Sequence, residues 1–438
     1  MAQFRRDTHK YLPQETTIFE VMMLADQYGN LVGPANPSGM SVDAFGRSRV
    51  SMPLTLFDSS HRYRDNGLWV QSNSSGTTIT FSPNEGLINL SIGTTSSQEI
   101  IRETTKVFSY QPGKSLQVMN TFVMANAQLN LTQRVGYYGS NNGIYLEQAN
   151  GDIYFVERTS TSGVMTENKV AQADWNIDTL LGAVEGSPSQ RTLDLTKAQI
   201  LFTDIEWLGL GSVRCGFVLD GQLIHCHSFH HANYVATTYM TTASLPLRYE
   251  IKNVGPTGNS STMKQVCSTV ISEGGYELRG FQQAIGTTIT APRDLPVAGT
   301  DYVVASIRLK ESRKDAIVIL TALSVMGIGN NGKFLWKVIR NGTLSNTTFT
   351  SAGTDSSVEY NMVANNVVTG GVVMAQGYMA SDTQSAVPTD ILKEALFKFQ
   401  LERDSLNGTA GYPLTLTVAG ATDGLDVHGS MDWEEISR

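Results

Sequence analysis

The sequence is poor in cysteine and has no long apolar run. Three cysteines in 438 residues are an odd number, and this excludes a disulfide framework that pairs every thiol. No apolar run is long enough to cross a bilayer, and the polar first residues lack the basic, apolar and cleavage regions of a signal peptide. We therefore expect a chain that is assembled in a reducing cytoplasm without insertion into a membrane.

Charge is also scarce, and most of it is negative. Charged residues make up 16% of the sequence, and 40 acidic against 32 basic side chains give a formal net charge of −8. Because the sequence offers no basic patch to neutralise phosphates, we do not expect nucleic acid as a partner. The acidity favours solubility and carries no information about the fold.

Turn-forming residues are abundant instead, and they predict an all-β chain. Glycine occurs 40 times, and eight Asn-Gly or Asp-Gly pairs begin at residues 66, 142, 150, 220, 331, 341, 407 and 423. Such pairs favour tight turns between alternating strands. Dense strands with one apolar face close into packed sheets. We therefore predict two tandem jelly-roll or lectin-like β-sandwich domains with an extended N-terminal arm.

Segments rich in glycine and proline suggest the domain limits. Residues 1–45 contain too little apolar surface to fold alone, and they are predicted to be an arm along a domain or a neighbouring subunit, with a disordered tail as the alternative. Residues 46–275 form the first predicted sandwich, residues 276–296 a linker and residues 297–438 the second sandwich. One helix is predicted in the second sandwich, from Thr389 or Asp390 to Leu396.

The sharpest local signal is a hairpin that turns at Asp220-Gly221, a dipeptide that favours a two-residue type I′ turn. This turn predicts that residues whose numbers sum to 441 face one another. On the mostly apolar face the predicted pairs are Cys215 with Cys226, Phe217 with Ile224 and Leu219 with Gln222. On the polar face they are Arg214 with His227 and Gly216 with His225. The polar face is where we expect contacts with a partner.

A cluster of His225, Cys226, His227, His230 and His231 is the strongest candidate for a metal site, because imidazole and thiolate bind zinc well. The alternation of side chains along a strand, however, separates Cys226 from its two histidine neighbours. No second ligand group of matching spacing occurs elsewhere. We therefore predict a polar strand face or a subunit contact, with neither a metal nor a cofactor.

Carboxylates are the next candidates for chemistry. Asp204 and Glu206 are predicted to share one face of a strand, and paired acids can hydrolyse glycosidic bonds. The strand supplies no third acid, and the sequence contains no G-x-S-x-G, C-x-x-C or phosphate-binding loop. We predict that the protein has no catalytic residues.

Several tyrosines are expected at hairpin ends, where an aromatic ring can stack on a sugar. The candidates for contacts with a glycan are Tyr137, Tyr138 and Tyr234. Aromatic residues at hairpin ends also serve packing and subunit contacts, and the sequence leaves both interpretations open.

Some segments carry a resemblance to a known family. The runs DWN at residues 174–176, EWLGLGSVR at 206–214, GFVLDG at 216–221 and HSFHHAN at 227–233 resemble a block of virion structural proteins in tailed bacteriophages, notably marine ones. DAFGRSRVS at residues 43–51 and DWEEI at 432–436 resemble the first motif and the last strand of the same proteins. The resemblance does not extend motif by motif over residues 286–430.

The resemblance implies a non-enzymatic virion subunit on the head surface, tail, fibre or baseplate, assembled in the host cytoplasm. Its partners would be other virion proteins and further copies of itself, with a homotrimer as the first expectation. The predicted interface residues are Phe45, Arg47, Arg49, Arg214, His225 and His227. Two other functions stay open, a glycan-binding adhesin that contacts host surface glycans and a polysaccharide-degrading tail spike.

Overall fold

The computed structural model describes residues 24–25, 31–32, 52–277, 279–329, 331–381, 384–386, 399–403 and 411–437. The chain divides into one unit of Met1–Met52 and a second of Pro53–Arg438. In the first unit the described residues are two short antiparallel strands, β1 (Leu24–Ala25) and β2 (Leu31–Val32). Most of the predicted arm, with Phe45, Arg47 and Arg49, lies outside the described residues, and so does the predicted helix that ends at Leu396.

Fifteen strands make up the first part of the second unit. They are β3 (Leu54–Ser59), β4 (Trp69–Asn73), β5 (Thr78–Ser82), β6 (Leu87–Ile92), β7 (Glu99–Thr104), β8 (Leu116–Val123), β9 (Leu131–Tyr138), β10 (Gly143–Ala149), β11 (Asp152–Thr159), β12 (Thr166–Ala171), β13 (Gln199–Ile205), β14 (Val213–Leu219), β15 (Gln222–Phe229), β16 (Leu247–Asn253) and β17 (Ser261–Ser272). A short 3₁₀ helix, Gln172–Asp174, follows β12.

The remaining described strands come from the last third of the chain. They are β18 (Phe281–Gly286), β19 (Arg293–Leu295), β20 (Tyr302–Leu309), β21 (Ile317–Ile328), β22 (Lys333–Arg340), β23 (Thr343–Leu344), β24 (Thr350–Ser351), β25 (Val358–Asn361), β26 (Val368–Thr369), β27 (Val372–Ala380), β28 (Gln384–Ala386), β29 (Leu414–Gly420) and β30 (Leu425–Ser437). A second 3₁₀ helix, Glu311–Arg313, precedes β21. No helix in the described ranges is long and apolar enough to cross a membrane.

Strands β3–β17 form two antiparallel sheets that face each other. The seven-stranded sheet has the order β12-β11-β10-β9-β16-β7-β4, and the eight-stranded sheet has the order β15-β14-β13-β8-β17-β6-β5 with β3 beside β17. Alternate side chains of both sheets meet in one core, among them Val135, Leu146, Phe155, Tyr249, Leu90, Phe122, Leu201 and Phe217. This arrangement is a β-sandwich.

Strands β18–β30 form a second sandwich with its own core. One sheet has the order β18-β30-β21-β28 with β19 beside β30, and the other has the order β24-β25-β20-β29-β22-β27. Their inner faces contribute Val318, Leu320, Trp433, Val338 and Leu416 to the core. The predicted all-β class with two tandem jelly-roll or lectin-like sandwiches is confirmed. Two parts of the segment predicted as a linker, β18 and β19, are strands paired with β30.

Strand β21 joins the two sandwiches, because its successive side chains belong alternately to the two cores. Val318 and Leu320 point into the second core, whereas Ile317 and Ile319 belong to the core of the first sandwich. Residues 399–403 run beside β21, and the Leu401 N–H donates to the Val318 carbonyl at 2.9 Å. The same short segment reaches the first sandwich, where the Arg403 N–H donates to the Thr105 carbonyl.

Candidate functional site

The predicted hairpin is present, but its register shifts within the strands. Asp220 and Gly221 both have positive φ, as a type I′ turn requires. Three predicted pairs are confirmed: Leu219 with Gln222, Phe217 with Ile224 and Gly216 with His225. A β-bulge at Cys215 then shifts the pairing by one residue, so that Cys215 faces His227. The predicted pairs of Cys215 with Cys226 and of Arg214 with His227 are therefore wrong.

A loop hydrogen-bonded to strand β15 accounts for the bulge. The Cys226 carbonyl accepts hydrogen bonds from the N–H groups of Ile177 and Asp178, both at 3.0 Å. The Asn176 side chain completes the contact, because its amide donates to the Ser228 carbonyl at 2.9 Å and its oxygen accepts from the Ser228 N–H at 2.9 Å. The segment after Asp174 thus occupies part of the edge of β15 and fixes the extra residue.

The histidines of the cluster have separate partners. His225 Nε2 lies 3.0 Å from Ser228 Oγ, and His230 Nδ1 lies 3.2 Å from Ser212 Oγ. His227 is buried, and burial, reinforced by the nearby charges of His225 and His230, lowers its pKa to about 4. In the part of the chain that the structure describes, no group of three His, Cys, Asp or Glu side chains could hold a metal ion.

His231 is the histidine with the closest contacts. Its Nε2 lies 2.6 Å from a carboxylate oxygen of Glu157, and its Nδ1 lies 2.5 Å from the Gly211 carbonyl oxygen. The imidazole also stacks on Tyr239, with ring centroids 3.8 Å apart. Burial by itself lowers the pKa of His231, but the two hydrogen bonds outweigh it and leave the pKa above its ordinary value. The imidazole ring therefore joins β11 to the loop before β14.

This contact predicts a pH-dependent contribution to stability. A raised pKa in the folded state means that the contribution is complete below the unfolded pKa of histidine, about 6.5, and is lost as the pH rises through the folded pKa. We expect His231→Gln to lower the urea midpoint more at pH 5.5 than at pH 8.5. His230→Gln, which removes an exposed histidine, is the control and should change little at either pH. Equal losses from His231→Gln at the two pH values would contradict the assignment.

The predicted acid pair is only partly assembled. Asp204 is half-buried on β13, with Arg214 Nη1 at 3.8 Å from its carboxylate, whereas Glu206 is exposed beyond the end of the strand. Burial, followed by the negative charges of Glu273 and Glu206, raises the pKa of Asp204. Glu273 is an acid that the sequence did not connect with this site. It follows β17 and accepts a hydrogen bond from Ser115 Oγ at 2.8 Å.

The tyrosine candidates fall into two groups. Tyr137 lies in the core, where its hydroxyl donates to the Ala243 carbonyl at 2.7 Å, and Tyr138 packs against the tilted Tyr145 ring on the opposite face of the sheet. Both Tyr137 and Tyr138 are 0% exposed, so the prediction that they contact a glycan is wrong. Tyr234 is 79% exposed and stays a candidate. Arg214 is exposed and His225 is half-buried, and both stay predicted interface residues. His227 is 6% exposed within this chain, so its prediction as an interface residue is wrong.

The outer face of the seven-stranded sheet carries a feature that the sequence did not predict. Ten side chains form a continuous ladder of ion pairs in which acids and bases alternate. In order they are Asp315, Arg403, Glu103, Arg248, Glu250, Arg134, Glu147, Lys169, Glu167 and Arg158. We call this set the charge ladder. It crosses from the second sandwich to β12.

Strand register explains the ladder. Arg134 on β9 is directly opposite Glu147 on β10 and Glu250 on β16. Its Nε lies 2.6 Å from Glu147 and its Nη1 lies 2.9 Å from Glu250. Cross-strand neighbours of opposite charge on one face are within reach of each other. The three side chains are nearly inaccessible, with exposures of 8%, 1% and 2%.

Aromatic rings and basic groups pack against the central members of the ladder. The Tyr138 and Tyr145 rings lie 4.3 Å apart, and the guanidinium group of Arg158 lies within 5.3 Å of both ring centroids. Although burial opposes ionisation, the charges of Arg248 and Arg134 lower the pKa of Glu250 to about 2. Glu250 is thus held in its charged form by neighbouring cations, whereas burial raises the pKa of Glu103. The ladder links neighbouring strands of the seven-stranded sheet through their side chains.

A shallow cleft of about 350 Å³ lies at the end of the first sandwich where the loop from β8 to β9 meets the start of β17. Its lining residues are all uncharged: Ala125, Asn126, Ala127, Gln128, Asn259, Ser260, Ser261 and Thr262. The Gln128 amide joins the two loops, because it donates to the Asn259 carbonyl at 2.9 Å and to Ser261 Oγ at 2.7 Å. Tyr234 is not among the residues that line this cleft.

Comparisons with known proteins find similarity to solved structures alone. No family model matches the sequence, and no curated protein matches it either. A β-glucanase of Bacillus licheniformis is similar over 49% of this chain and 97% of its own, with 14% identity and a TM-score of 0.32. Arcelin-5, a lectin-like defence protein of Phaseolus vulgaris, is similar over 51% of this chain and 99% of its own, with 8% identity and a TM-score of 0.31. A conserved carbohydrate esterase of the Shiga toxin-encoding bacteriophage phi24B is similar over 51% of this chain and 100% of its own, with 12% identity and a TM-score of 0.30.

Proposed function

We propose that this chain is a non-enzymatic structural subunit of a tailed-phage virion and acts through protein–protein assembly. The observation that carries the proposal is the charge ladder, in which buried acids such as Glu147 and Glu250 are bound by basic groups. A sheet face whose acids are already bound by basic groups favours a rigid structural subunit over an active site. The resemblance of the central hairpin region to virion structural proteins supports the same function.

In this proposal the subunit belongs to the head surface, tail, fibre or baseplate, and it associates with other virion proteins and with itself. The homotrimer and the docking of residues 1–45 on a neighbour are parts of the same hypothesis. Exposed Arg214 and half-buried His225 are the described residues that we assign to such a contact.

Incorporation into particles tests the proposal. Gold-labelled antibody against the full-length chain should mark purified particles at one recurrent position in electron micrographs. A variant without residues 1–45 should be produced in the infected cell but be missing from particles. Full incorporation of that variant would remove the arm from the hypothesis, and unlabelled particles would overturn the structural role itself.

A second candidate function is the binding of a neutral glycan, and the uncharged cleft favours it. The side chains of Asn126 and Asn259 are exposed at its rim, and amide groups bind sugar hydroxyls well. The double hydrogen bond between Gln128 and the Asn259 backbone keeps the two loops in place, so that little ordering is needed on binding.

Binding of host surface polysaccharide by the purified protein tests this second function. If the cleft is the site, the double variant Asn126→Ala/Asn259→Ala should weaken binding at least about tenfold, since hydrogen bonds to ligand hydroxyls are lost. Asn168→Ala changes an exposed asparagine elsewhere and should have no effect. A loss caused by Tyr234→Ala alone would instead assign binding to the loop between β15 and β16, and no binding by the wild type would exclude this function.

A further inference from the structure

The loop of residues 60–68 connects β3 to β4, the strand at one end of the seven-stranded sheet. His61 is 2% exposed and is the one buried residue of this loop, whereas the three residues that follow it are exposed. The His61 carbonyl oxygen packs against the turn between β5 and β6, where a Cβ atom on Gly86 would lie 3.0 Å from it. His61 therefore anchors the first half of the loop.

A buried cation lies beside His61. Arg102 on β7 is 0% exposed, and its guanidinium group donates to Asp65 of the loop at 2.6 Å. The same group donates to Gln71 at 2.7 Å and to Gln265 of the opposite sheet at 2.6 Å. His61 Nδ1 lies 3.8 Å from the Asp65 oxygen that Arg102 binds. In the part of the chain that the structure describes, neither nitrogen of the His61 ring has a hydrogen-bond partner.

The imidazole of His61 is neutral in the folded chain. Burial, reinforced by the positive charge of Arg102, lowers its pKa to about 4, and the opposing effect of Asp65 is smaller. Asp65 itself stays ionised, because the hydrogen bond and the charge of Arg102 outweigh burial and lower the pKa of this carboxyl. In the neighbouring turn, Glu85 is paired with Lys264. The basic residues of the loop are exposed.

This environment makes the closed loop sensitive to acid. A folded-state pKa below that of the unfolded chain, about 6.5, means that protonation of His61 opposes the closed loop. The closed loop is fully favoured above about pH 6.5, and it loses stability as the pH falls through the folded pKa of about 4. An imidazolium ion here would be a second buried cation that shares one carboxylate with Arg102, and such an arrangement is costly.

We propose that residues 60–68 are an acid-sensitive segment, in which protonation of His61 beside Arg102 opens the loop from the end of the first sandwich while both sheets stay folded. The strands on either side are joined independently of the loop. Trp69 at the start of β4 is buried, and its indole N–H donates to Ser59 Oγ at the end of β3 at 2.9 Å. The inference concerns the response of the fold to acid and does not rest on the proposed virion function.

Hydrogen exchange of the full-length chain tests the opening. After correction for the intrinsic effect of pH on exchange, peptides from residues 60–68 should lose protection at least about tenfold between pH 7.5 and pH 5.0. Peptides from β8 and β9 should keep their protection. His61→Phe removes the titrating group and should abolish the pH dependence in the loop, and His61→Gln serves the same purpose with a smaller side chain. His230→Gln changes an exposed histidine and should respond to pH as the wild type does.

The charge of the ring can also be observed directly. In a chain labelled with ¹³C-histidine, the resonance that disappears in His61→Gln should show no titration above pH 5.5. A His61 pKa at or above 6.5 would overturn the inference. Loop protection that is equal at the two pH values, or that falls equally in the His61 variants, would also overturn it. Loss of protection in β8 and β9 together with the loop would show global unfolding and contradict a local opening.

Discussion

Replacing Arg134 with alanine is expected to lower the free energy of unfolding by about 3–5 kcal/mol, because the change leaves two buried carboxylates without their shared cation. Glu147 and Glu250 are 1% and 2% exposed, so water cannot replace the lost guanidinium group easily. Lys169 and Lys252 contact these acids at 2.6 Å and 3.2 Å and prevent a larger loss. Urea denaturation monitored by tryptophan fluorescence would measure the difference.

An exposed ion pair provides the matched control for Arg134. Lys264 and Glu85 form such a pair, with side-chain exposures of 34% and 45%. Lys264→Ala should change the free energy of unfolding by no more than about 0.5 kcal/mol, because solvent screens exposed charges. If the two alanine variants lost the same stability, the ladder would be no stronger than a surface pair. Arg134→Lys retains the charge but loses the forked geometry and should fall between them.

The second large effect is expected for Arg403→Ala, about 2–4 kcal/mol, because this side chain joins the two sandwiches at a buried position. Arg403 is 5% exposed, and its guanidinium lies 3.4 Å from Glu103 and 3.2 Å from Asp315. Without it, Glu103 keeps the more distant contact with Arg248 at 3.6 Å. We also expect faster cleavage by trypsin in the connection between β17 and β18.

The control for Arg403 is Arg279→Ala. Arg279 pairs with Glu277 on the surface, and its side chain is 78% exposed. Loss of this pair should leave the urea midpoint within error of the wild type. A variant at Arg403 that unfolded at the wild-type midpoint would show that the apolar contacts of Ile317 and Ile319 are sufficient to hold the sandwiches together.

The fold was accessible from the sequence because its signals are local. Alternating side chains and Asn-Gly or Asp-Gly turns identify strands one at a time, and the turn at Asp220 was placed correctly with both φ values positive. The bulge at Cys215 was not accessible, because its cause lies in the loop at residues 176–178, about fifty positions away in the sequence. The residues of a turn determine the pairing of the two strands only as far as the first bulge.

The charge ladder could not be predicted for a similar reason. Arg134 and Glu147 belong to neighbouring strands, but Glu250 arrives from β16, and no local pattern brings a residue 116 positions away beside Arg134. The error on Tyr137 and Tyr138 has a related cause. The alternation of side chains along β9 correctly sets the two rings on opposite faces of the sheet. It does not reveal that both ring positions are inaccessible to solvent.

The composition of the charge ladder has a consequence for the long-range field of the protein. Its five carboxylates and five basic groups cancel, so the net charge of −8 is carried entirely by the rest of the chain. Alternating charges at close spacing produce a potential that decays within a few ångströms, and added salt has little left to screen. Repulsion between copies at low ionic strength must therefore arise from other surfaces. Salt should promote association through those surfaces and should have little effect on the ion pairs of the seven-stranded sheet.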